Sequence, residues 1–98
     1  MIIVLCSAEI APEKRDAFVE AANAGGALSG TLQETGNISY DLVCSATEPG
    51  KMFMIERWED GAALKAHSAG ANLAAFGKLC AEYGVKTDIK LYNADPLN

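Results

Sequence analysis

The chain has 98 residues, half of them hydrophobic, and 13 acidic against 8 basic residues give it a net charge of −5. A domain of this size buries only about two-thirds of the surface of its unfolded chain, so this apolar content exceeds what one small domain hides. The sequence has no cluster of Lys and Arg of the kind that nucleic-acid and anionic-membrane binders carry. No apolar run approaches the roughly 20 residues of a membrane span. We expect a single domain over residues 1–98, with a polar C-terminal tail at 93–98.

The N-terminus and the cysteines are typical of a cytoplasmic protein. The chain enters a strand-like run at once, without a positively charged region or a cleavage site, so we expect no signal peptide. Cys6, Cys44 and Cys80 lie far apart, and the single His cannot complete a zinc site with them. We interpret all three cysteines as small buried hydrophobic residues.

The first half of the chain predicts a strand, a long helix and a second strand. The β-branched run at 2–10 predicts strand one. Apolar residues then recur at steps of three and four, which predicts a helix from about Pro12 to Gln33. Gly25 lies inside this pattern and predicts a kink or a break there. Residues 38–45 alternate between apolar and polar and predict strand two.

The second half predicts a hairpin, a two-part helical region and a last strand. The turn Glu48-Pro49-Gly50-Lys51 leads into strand three at 52–58. Asp60 is positioned to cap a helical region, and this region is interrupted near Gly70. Alternation at 87–92 predicts strand four.

The resulting βαββαβ order predicts a ferredoxin-like α+β sandwich with an antiparallel four-stranded sheet. Strands one and three are apolar on both faces, as central strands should be, whereas strands two and four alternate. Two helices cover only one face of such a sheet. We therefore expect a homodimer in which the uncovered sheet faces meet.

Trp58, His67 and Tyr40 on strand two stand out as candidates for chemistry, with Glu56 beside them, and structural interpretations compete with the chemical ones. Trp58 ends a central strand, where an aromatic residue commonly plugs a core, and His67, on an inward helix face, is favoured as a hydrogen-bonded core residue. Glu56 shares a strand face with Trp58 and needs a partner or a raised pKa. A structural salt bridge at an interface is favoured for Glu56 over an acid or base role. No nucleotide-binding, metal-binding or nucleophile-elbow motif is present.

Four segments together resemble the antibiotic biosynthesis monooxygenase domain family, whose quinol monooxygenase-like members belong to the dimeric α+β barrel superfamily. They are Glu34–Leu42, Glu48–Lys51, Glu56–Asp60 and Ala63–His67. The resemblance extends to about Tyr92. It implies a homodimeric α+β barrel that oxidises a small aromatic substrate, such as a quinol or an anthrone, with O2 and without a metal or organic cofactor.

The resemblance also implies the composition of the site. His67 is expected to accept a proton from the substrate, and Trp58 to stack on its ring, which makes them the catalytic pair. The residues expected to contact the substrate are Tyr40, Ser7, Phe76 and Glu56.

The sequence departs from related proteins in ways that narrow the function. Ser7 and Gly77 stand where the haem-degrading branch has Asn and His, so haem binding is not expected. The alternatives are an isomerase of a small phosphorylated signal molecule and a dimeric ligand-binding module. Arg57 and Lys65 are few basic residues for a phosphate site, which favours an aromatic ligand.

Overall fold

Four antiparallel strands form one sheet in the order β2-β3-β1-β4. A computed structural model describes all 98 residues. The strands are β1 Ile2–Glu9, β2 Asn37–Cys44, β3 Lys51–Trp58 and β4 Lys86–Asn93. The order places β1 and β3 in the centre and confirms the predicted ferredoxin-like fold.

All the helices pack on one face of this sheet. They are a 3-10 turn at Pro12–Lys14, α1 Arg15–Ala24, α2 Ala27–Leu32, α3 Gly61–Ser68 and α4 Ala71–Glu82. The predicted helix over 12–33 is thus interrupted at Gly25-Gly26, where Gly26 has a φ of 81°. None of the helices has the length and apolarity that crossing a bilayer would need.

The core lies between the helices and every second residue of the central strands, because successive side chains of a strand point to opposite faces. Val4 and Cys6 of β1 form one cluster with Tyr40, Met54 and Trp58. A second cluster gathers around Phe18 and Met52 near the other end of the sheet. Trp58 and Met52 are both completely buried.

The other side of the sheet, which we call the outer face, has no helix on it. Ile3 and Leu5 of β1 and Phe53 and Ile55 of β3 lie there, with Leu5 paired directly with Ile55, and all four are only half-buried. Part of the apolar excess of the sequence therefore lies on the outer face. The homodimer prediction rests on this face.

One expectation about burial was wrong for this chain. Cys44 is exposed, because it is the last residue of the edge strand β2 and no helix reaches it. Every residue of β4 is also exposed, with Ile89 and Leu91 on the helix-bearing side at 61% and 60%. The helices lie over β1 and β3 and leave this edge uncovered.

Candidate active site

A cavity of about 310 Å³ lies between the sheet and α4. Its walls are mostly apolar, and two ionisable groups other than thiols reach it, the Glu56 carboxyl and the Tyr40 phenol. The remaining lining residues are Cys6, Met54, Leu73, Phe76, Gly77, Cys80, Ala81, Val85, Thr87 and Ile89. Ligand sites are typically apolar pockets with a few polar groups, and this cavity fits that description. A larger depression of about 430 Å³ beside the hairpin turn is polar and open.

Behind Glu56 lies a series of polar contacts, buried at His67 and partly exposed at Glu34, that continues away from the cavity. Trp58 Nε1 donates a hydrogen bond of 2.9 Å to Glu56 Oε1, and the same oxygen is 3.9 Å from His67 Nε2. On the other side of the imidazole, His67 Nδ1 is 2.9 Å from Glu34 Oε1. Asn72 Nδ2 donates to Glu34 Oε2 at 2.9 Å. These contacts therefore join β3, α3, α4 and the segment that precedes β2.

Aromatic rings enclose the imidazole of His67. The Trp58 ring lies 4.7 Å from it with an interplanar angle of 34°, and the Tyr40 ring meets it edge-on at 5.5 Å. His67 is only 2% exposed. These contacts hold the ring in one orientation, with one nitrogen toward Glu56 and the other toward Glu34.

Local sequence explains how α3 presents His67. The Asp60 side chain accepts a hydrogen bond of 2.9 Å from the backbone N–H of Ala63, as a helix N-cap should. Gly36 has a φ of 81°, and a Cβ at that position would lie 2.5 Å from the Cβ of Ala63. The lack of a side chain at Gly36 thus lets the segment that carries Glu34 come against α3.

A second close approach accommodates Asn72. A Cβ on Gly30 would lie 2.5 Å from Asn72 Oδ1, so the small residue in α2 leaves room for the amide that holds Glu34. Glycine costs a helix about 1 kcal/mol relative to alanine.

The electrostatics of the cavity favour neutral forms of its acids. Burial raises the pKa of the Glu56 carboxyl above its ordinary value, and the charge of Glu34 adds to this, while the Trp58 hydrogen bond and His67 oppose it. Burial and the neighbouring Glu56 charge raise the pKa of Tyr40 far above its ordinary value. Tyr40 is therefore a neutral hydrogen-bond donor, and Glu56 is a stronger base than an exposed glutamate.

The two cysteines of the cavity are not activated. Burial and then the charge of Glu56 raise the pKa of Cys6. Burial, with a smaller effect of Cys6, raises the pKa of Cys80 to about 11. Since the thiolate is the reactive form, both act as small apolar residues in the wall.

The structure brings only some of the sequence-predicted site residues to the cavity. Tyr40, Glu56 and Phe76 line it. His67 and Trp58 do not: Trp58 is completely buried against His67, so it stacks on the imidazole where stacking on a substrate was expected. His67 is one side chain behind the cavity wall, and Glu56 stands between them.

Two other expectations need correction. Ser7 pairs with Phe53 and therefore lies on the outer face, across the sheet from the cavity. Glu56 lies on the helix-bearing side, and its partners are Trp58 and His67 of its own chain. The bridge that Glu56 forms with His67 thus lies within the chain, whereas a bridge at an interface was favoured.

Sequence reasoning assigned no role to Glu34 and Asn72. The hydrogen bonds join Glu34 to His67 and Asn72 over 33 and 38 residues, and no local pattern signals such a pairing. The only hint is the glycine at position 36. A glycine there is compatible with a positive φ and with close packing of the segment against another element.

Clustered metal-ligating side chains and the residue at position 77 bear on metal or haem binding. No group of three or more His, Cys, Asp and Glu residues is arranged to hold a metal ion. In the cavity wall, α4 presents Gly77, which has open space beside it and no atom that could ligate iron.

The fold and the cavity define a small ferredoxin-like α+β domain with an apolar cavity and a partly buried acid–histidine network. The chain belongs to the antibiotic biosynthesis monooxygenase family, whose model matches residues 1–79. The Bacillus subtilis (strain 168) protein named "Putative monooxygenase YcnE" is 33% identical over 76 residues, which are 78% of each chain. Membership supports a monooxygenase-like function.

Solved structures share the fold over nearly the whole chain. A conserved protein from Methanosarcina mazei Go1 is 25% identical with a TM-score of 0.84, and the match covers 96% of this chain and 92% of that one. The "putative antibiotic biosynthesis monooxygenase" of Deinococcus radiodurans has a TM-score of 0.87 at 19% identity and covers 100% of this chain and 96% of its own. At this low identity the second match speaks for the fold alone.

Proposed function

We propose that this protein is a cofactor-independent monooxygenase that oxidises a small aromatic substrate, quinol- or anthrone-like, with O2. The observation that carries the proposal is the Glu56 carboxylate in the wall of an apolar cavity of about 310 Å³. An electron-rich aromatic ring suits apolar walls, and its acidic O–H or C–H needs a base. Glu56 supplies that base, in place of His67, because Glu56 is the group that reaches the cavity.

The chemistry balances without a reductant when the substrate is an anthrone-like methylene. Glu56 takes a proton from the CH2 group, and the resulting carbanion adds O2 after transfer of one electron, which forms a C–O bond. One proton, delivered by Glu56, then converts the peroxide anion to the hydroperoxide. Loss of water then breaks the O–O bond and leaves C=O, so the carbon is oxidised and one oxygen atom leaves as water.

The neutral Tyr40 hydroxyl supports this role. A phenol that stays protonated can donate a hydrogen bond to the oxygen of a phenolate or enolate, and so stabilise the anion as it forms. Phe76 adds an aromatic wall, itself packed edge-on against Phe18 with centroids 6.0 Å apart.

A phosphorylated substrate suits this cavity less well. Phosphate recognition uses Arg or Lys, and neither residue type lines the cavity. Arg57 lies on the outer face and donates from Nε to Ser39 Oγ at 2.8 Å, and Lys65 is exposed on α3. The isomerase alternative therefore has no cation to hold its substrate.

The test is an oxygen-electrode screen over hydroquinones and anthrones. We expect wild-type protein to consume O2 with at least one of them, and Glu56→Gln to lose about 10²–10⁴-fold in rate, the usual value of general-base catalysis. Glu59→Gln is the matched control, because Glu59 is exposed and outside the cavity. The proposal would be overturned if the wild-type protein consumed no O2 with any compound of the screen, or if Glu56→Gln kept full activity.

We also propose that the protein is a homodimer joined through the outer faces. Phe53 and Ile55 lie next to Ile3 and Leu5 there, and apolar patches of this kind are commonly covered by a partner. Light scattering should give twice the 10.3 kDa mass of the chain. Ile55→Asp should reduce the mass to that of a monomer, while Leu32→Asp, at an exposed position on the helix side, should not. A monomeric wild-type protein at micromolar concentration would contradict the proposal.

A further inference from the structure

We infer that Glu56, His67 and Glu34 form a proton relay between the cavity and a separate surface groove on the helix side. In this relay His67 accepts the substrate-derived proton from Glu56 and exchanges it with solvent through Glu34. The inference rests on the proposed function only in naming Glu56 as the group that takes the proton. It assigns His67 and Glu34 as positioning and relay residues that do not touch the substrate.

The two ends of the relay open into different spaces. Glu56 lines the cavity at the sheet, whereas Glu34 lines a groove of about 320 Å³ bounded by Ala63, Ala66 and Asn72. No residue lines both spaces. His67 lies between them at 2% exposure, while the Glu34 side chain is 22% exposed. A proton that moves through His67 therefore reaches solvent without passing the substrate.

The hydrogen bonds determine the direction of transfer. A carboxylate only accepts hydrogen bonds, so opposite an ionised Glu34 the relay assigns the proton of a neutral His67 ring to Nδ1, which lies 2.9 Å from Glu34 Oε1. Nε2 is then an acceptor, and it is buried with no hydrogen-bond partner, which is rare in folded proteins. It faces Glu56 Oε1 at 3.9 Å, so in this relay the two groups must come closer before the proton passes from Glu56 to Nε2.

Atoms and charge balance at each step. The proton on Glu56 moves to Nε2, which restores the Glu56 carboxylate, and the imidazolium is stabilised by Glu34. The Nδ1 proton can then move to Glu34 and exchange with water in the groove. While the proton is held on this side, it cannot return to the substrate anion before O2 reacts.

Asn72 and Trp58 complete the relay as positioning residues. Asn72 holds the second oxygen of Glu34 at 2.9 Å, which leaves the first for His67. Trp58 donates to Glu56 and stacks on the imidazole. Both contacts keep the two carboxyl groups in line with the two ring nitrogens.

The first measurement needs no turnover. We expect ¹⁵N NMR of ligand-free wild-type protein to show the neutral His67 ring protonated at Nδ1, and we expect the same tautomer in Glu34→Gln, whose amide oxygen still accepts. A ring protonated at Nε2 in the wild type would overturn the relay, whatever the activity of the protein.

The second measurement follows hydrogen–deuterium exchange of the anthrone methylene in D2O without O2. The protein should accelerate the exchange, and Glu34→Gln should lower that acceleration by about tenfold or more, since a relay member that cannot take the proton removes general acid–base help. Glu59→Gln should leave it unchanged. Added formate should restore the acceleration of exchange in Glu34→Ala, and the recovery should rise with formate concentration. A small carboxylate fits the space that the Glu34 side chain leaves.

The outcomes separate the relay from the proposed function. If exchange proceeds through Glu34 but no O2 is consumed, the relay stands and the oxygenase proposal fails. Suppose that Glu34→Gln accelerates the exchange as much as wild type, while Glu34→Ala accelerates it little and does not respond to formate. Glu34 then only supports the structure, and the relay is overturned. No exchange above the buffer rate in folded wild-type protein would also overturn it.

Discussion

The indole Nε1 of Trp58 donates a hydrogen bond of 2.9 Å to Oε1 of Glu56, two residues earlier on the same strand. Residues two apart in a strand share a face, so β3 itself brings the donor to the carboxyl. The hydrogen bond favours the charged form of Glu56, whereas burial opposes it. Trp58 thus adjusts the basicity of the group that faces the cavity.

Replacing Trp58 by Phe should move the pH dependence of the reaction. Phe keeps an aromatic ring beside His67 but cannot donate, so the pKa of Glu56 should rise further. Since Glu56 must be ionised to accept a proton, the acid limb of the rate profile should move to higher pH. A pH series of O2 uptake checks this, with Tyr92→Phe on the outer face as control. An unmoved acid limb would show that the hydrogen bond does not adjust Glu56.

Glu56→Gln should stabilise the protein above the ordinary pKa of glutamate, 4.5. Because the pKa of Glu56 is raised in the folded state, its favourable contribution is complete below the unfolded value and is lost as pH rises through the folded one. Gln stays neutral and its amide oxygen still accepts from Trp58. Each pKa unit of difference corresponds to about 1.4 kcal/mol.

Urea denaturation between pH 4 and pH 8 measures this effect. The free energy of unfolding of Glu56→Gln should exceed that of wild type at pH 8, and the difference should shrink toward pH 4. Glu59→Gln, at an exposed position, is the reference variant. A difference in unfolding free energy that does not change with pH would show that the pKa of Glu56 is not raised in the folded protein.

Gly36→Ala should destabilise the fold more than Gly26→Ala. Both glycines have a φ of 81°, but a Cβ meets nothing within 4 Å at Gly26 and lies 2.5 Å from Ala63 Cβ at Gly36. The positive φ alone costs on the order of 1–3 kcal/mol, and the contact adds to it at Gly36. Thermal denaturation compares the two variants.

The double variant Gly36→Ala/Ala63→Gly tests the cause. Removing the Ala63 methyl group should recover the part of the loss that comes from the clash. Equal destabilisation of the Gly26 and Gly36 variants would show that the close approach carries no cost.

Gly77→Leu should block the cavity while leaving the fold intact. Gly77 lines the cavity and has open space beside it, so a leucine side chain fills the ligand volume. Gly77→Ala is the control and should gain about 0.5–1 kcal/mol of stability, since glycine inside a helix is unfavourable. In steady-state assays KM should rise strongly for Leu and little for Ala. Unchanged kinetics in Gly77→Leu would place the substrate elsewhere.

Periodicity explains why the elements could be predicted from sequence. The two-residue and 3.6-residue repeats, the Asp60 cap and the turn at 48–51 depend on neighbours along the chain. They were enough to predict the strand order and the uncovered apolar face. The break at Gly25 likewise follows from local backbone preference.

Faces and depth were harder to predict, as Ser7 and Cys44 illustrate. Because β1 is apolar on both sides, its pattern does not say which side carries the helices, and Ser7 was assigned to the wrong one. Cys44 has the residue type of a core position, but it lies where the edge strand ends beyond the helices. Both outcomes depend on where the helices lie over the sheet.

The sequence by itself determined the fold class, the family resemblance and the candidate residues Tyr40, Glu56, Trp58 and His67. Only the tertiary structure decided that Glu56 reaches the cavity, that His67 and Trp58 stand behind it, and that Glu34 joins them. The pairing of Glu34 with His67 spans 33 residues and depends on a close contact at Gly36. Such a contact arises when separate elements pack together, and no local repeat encodes it.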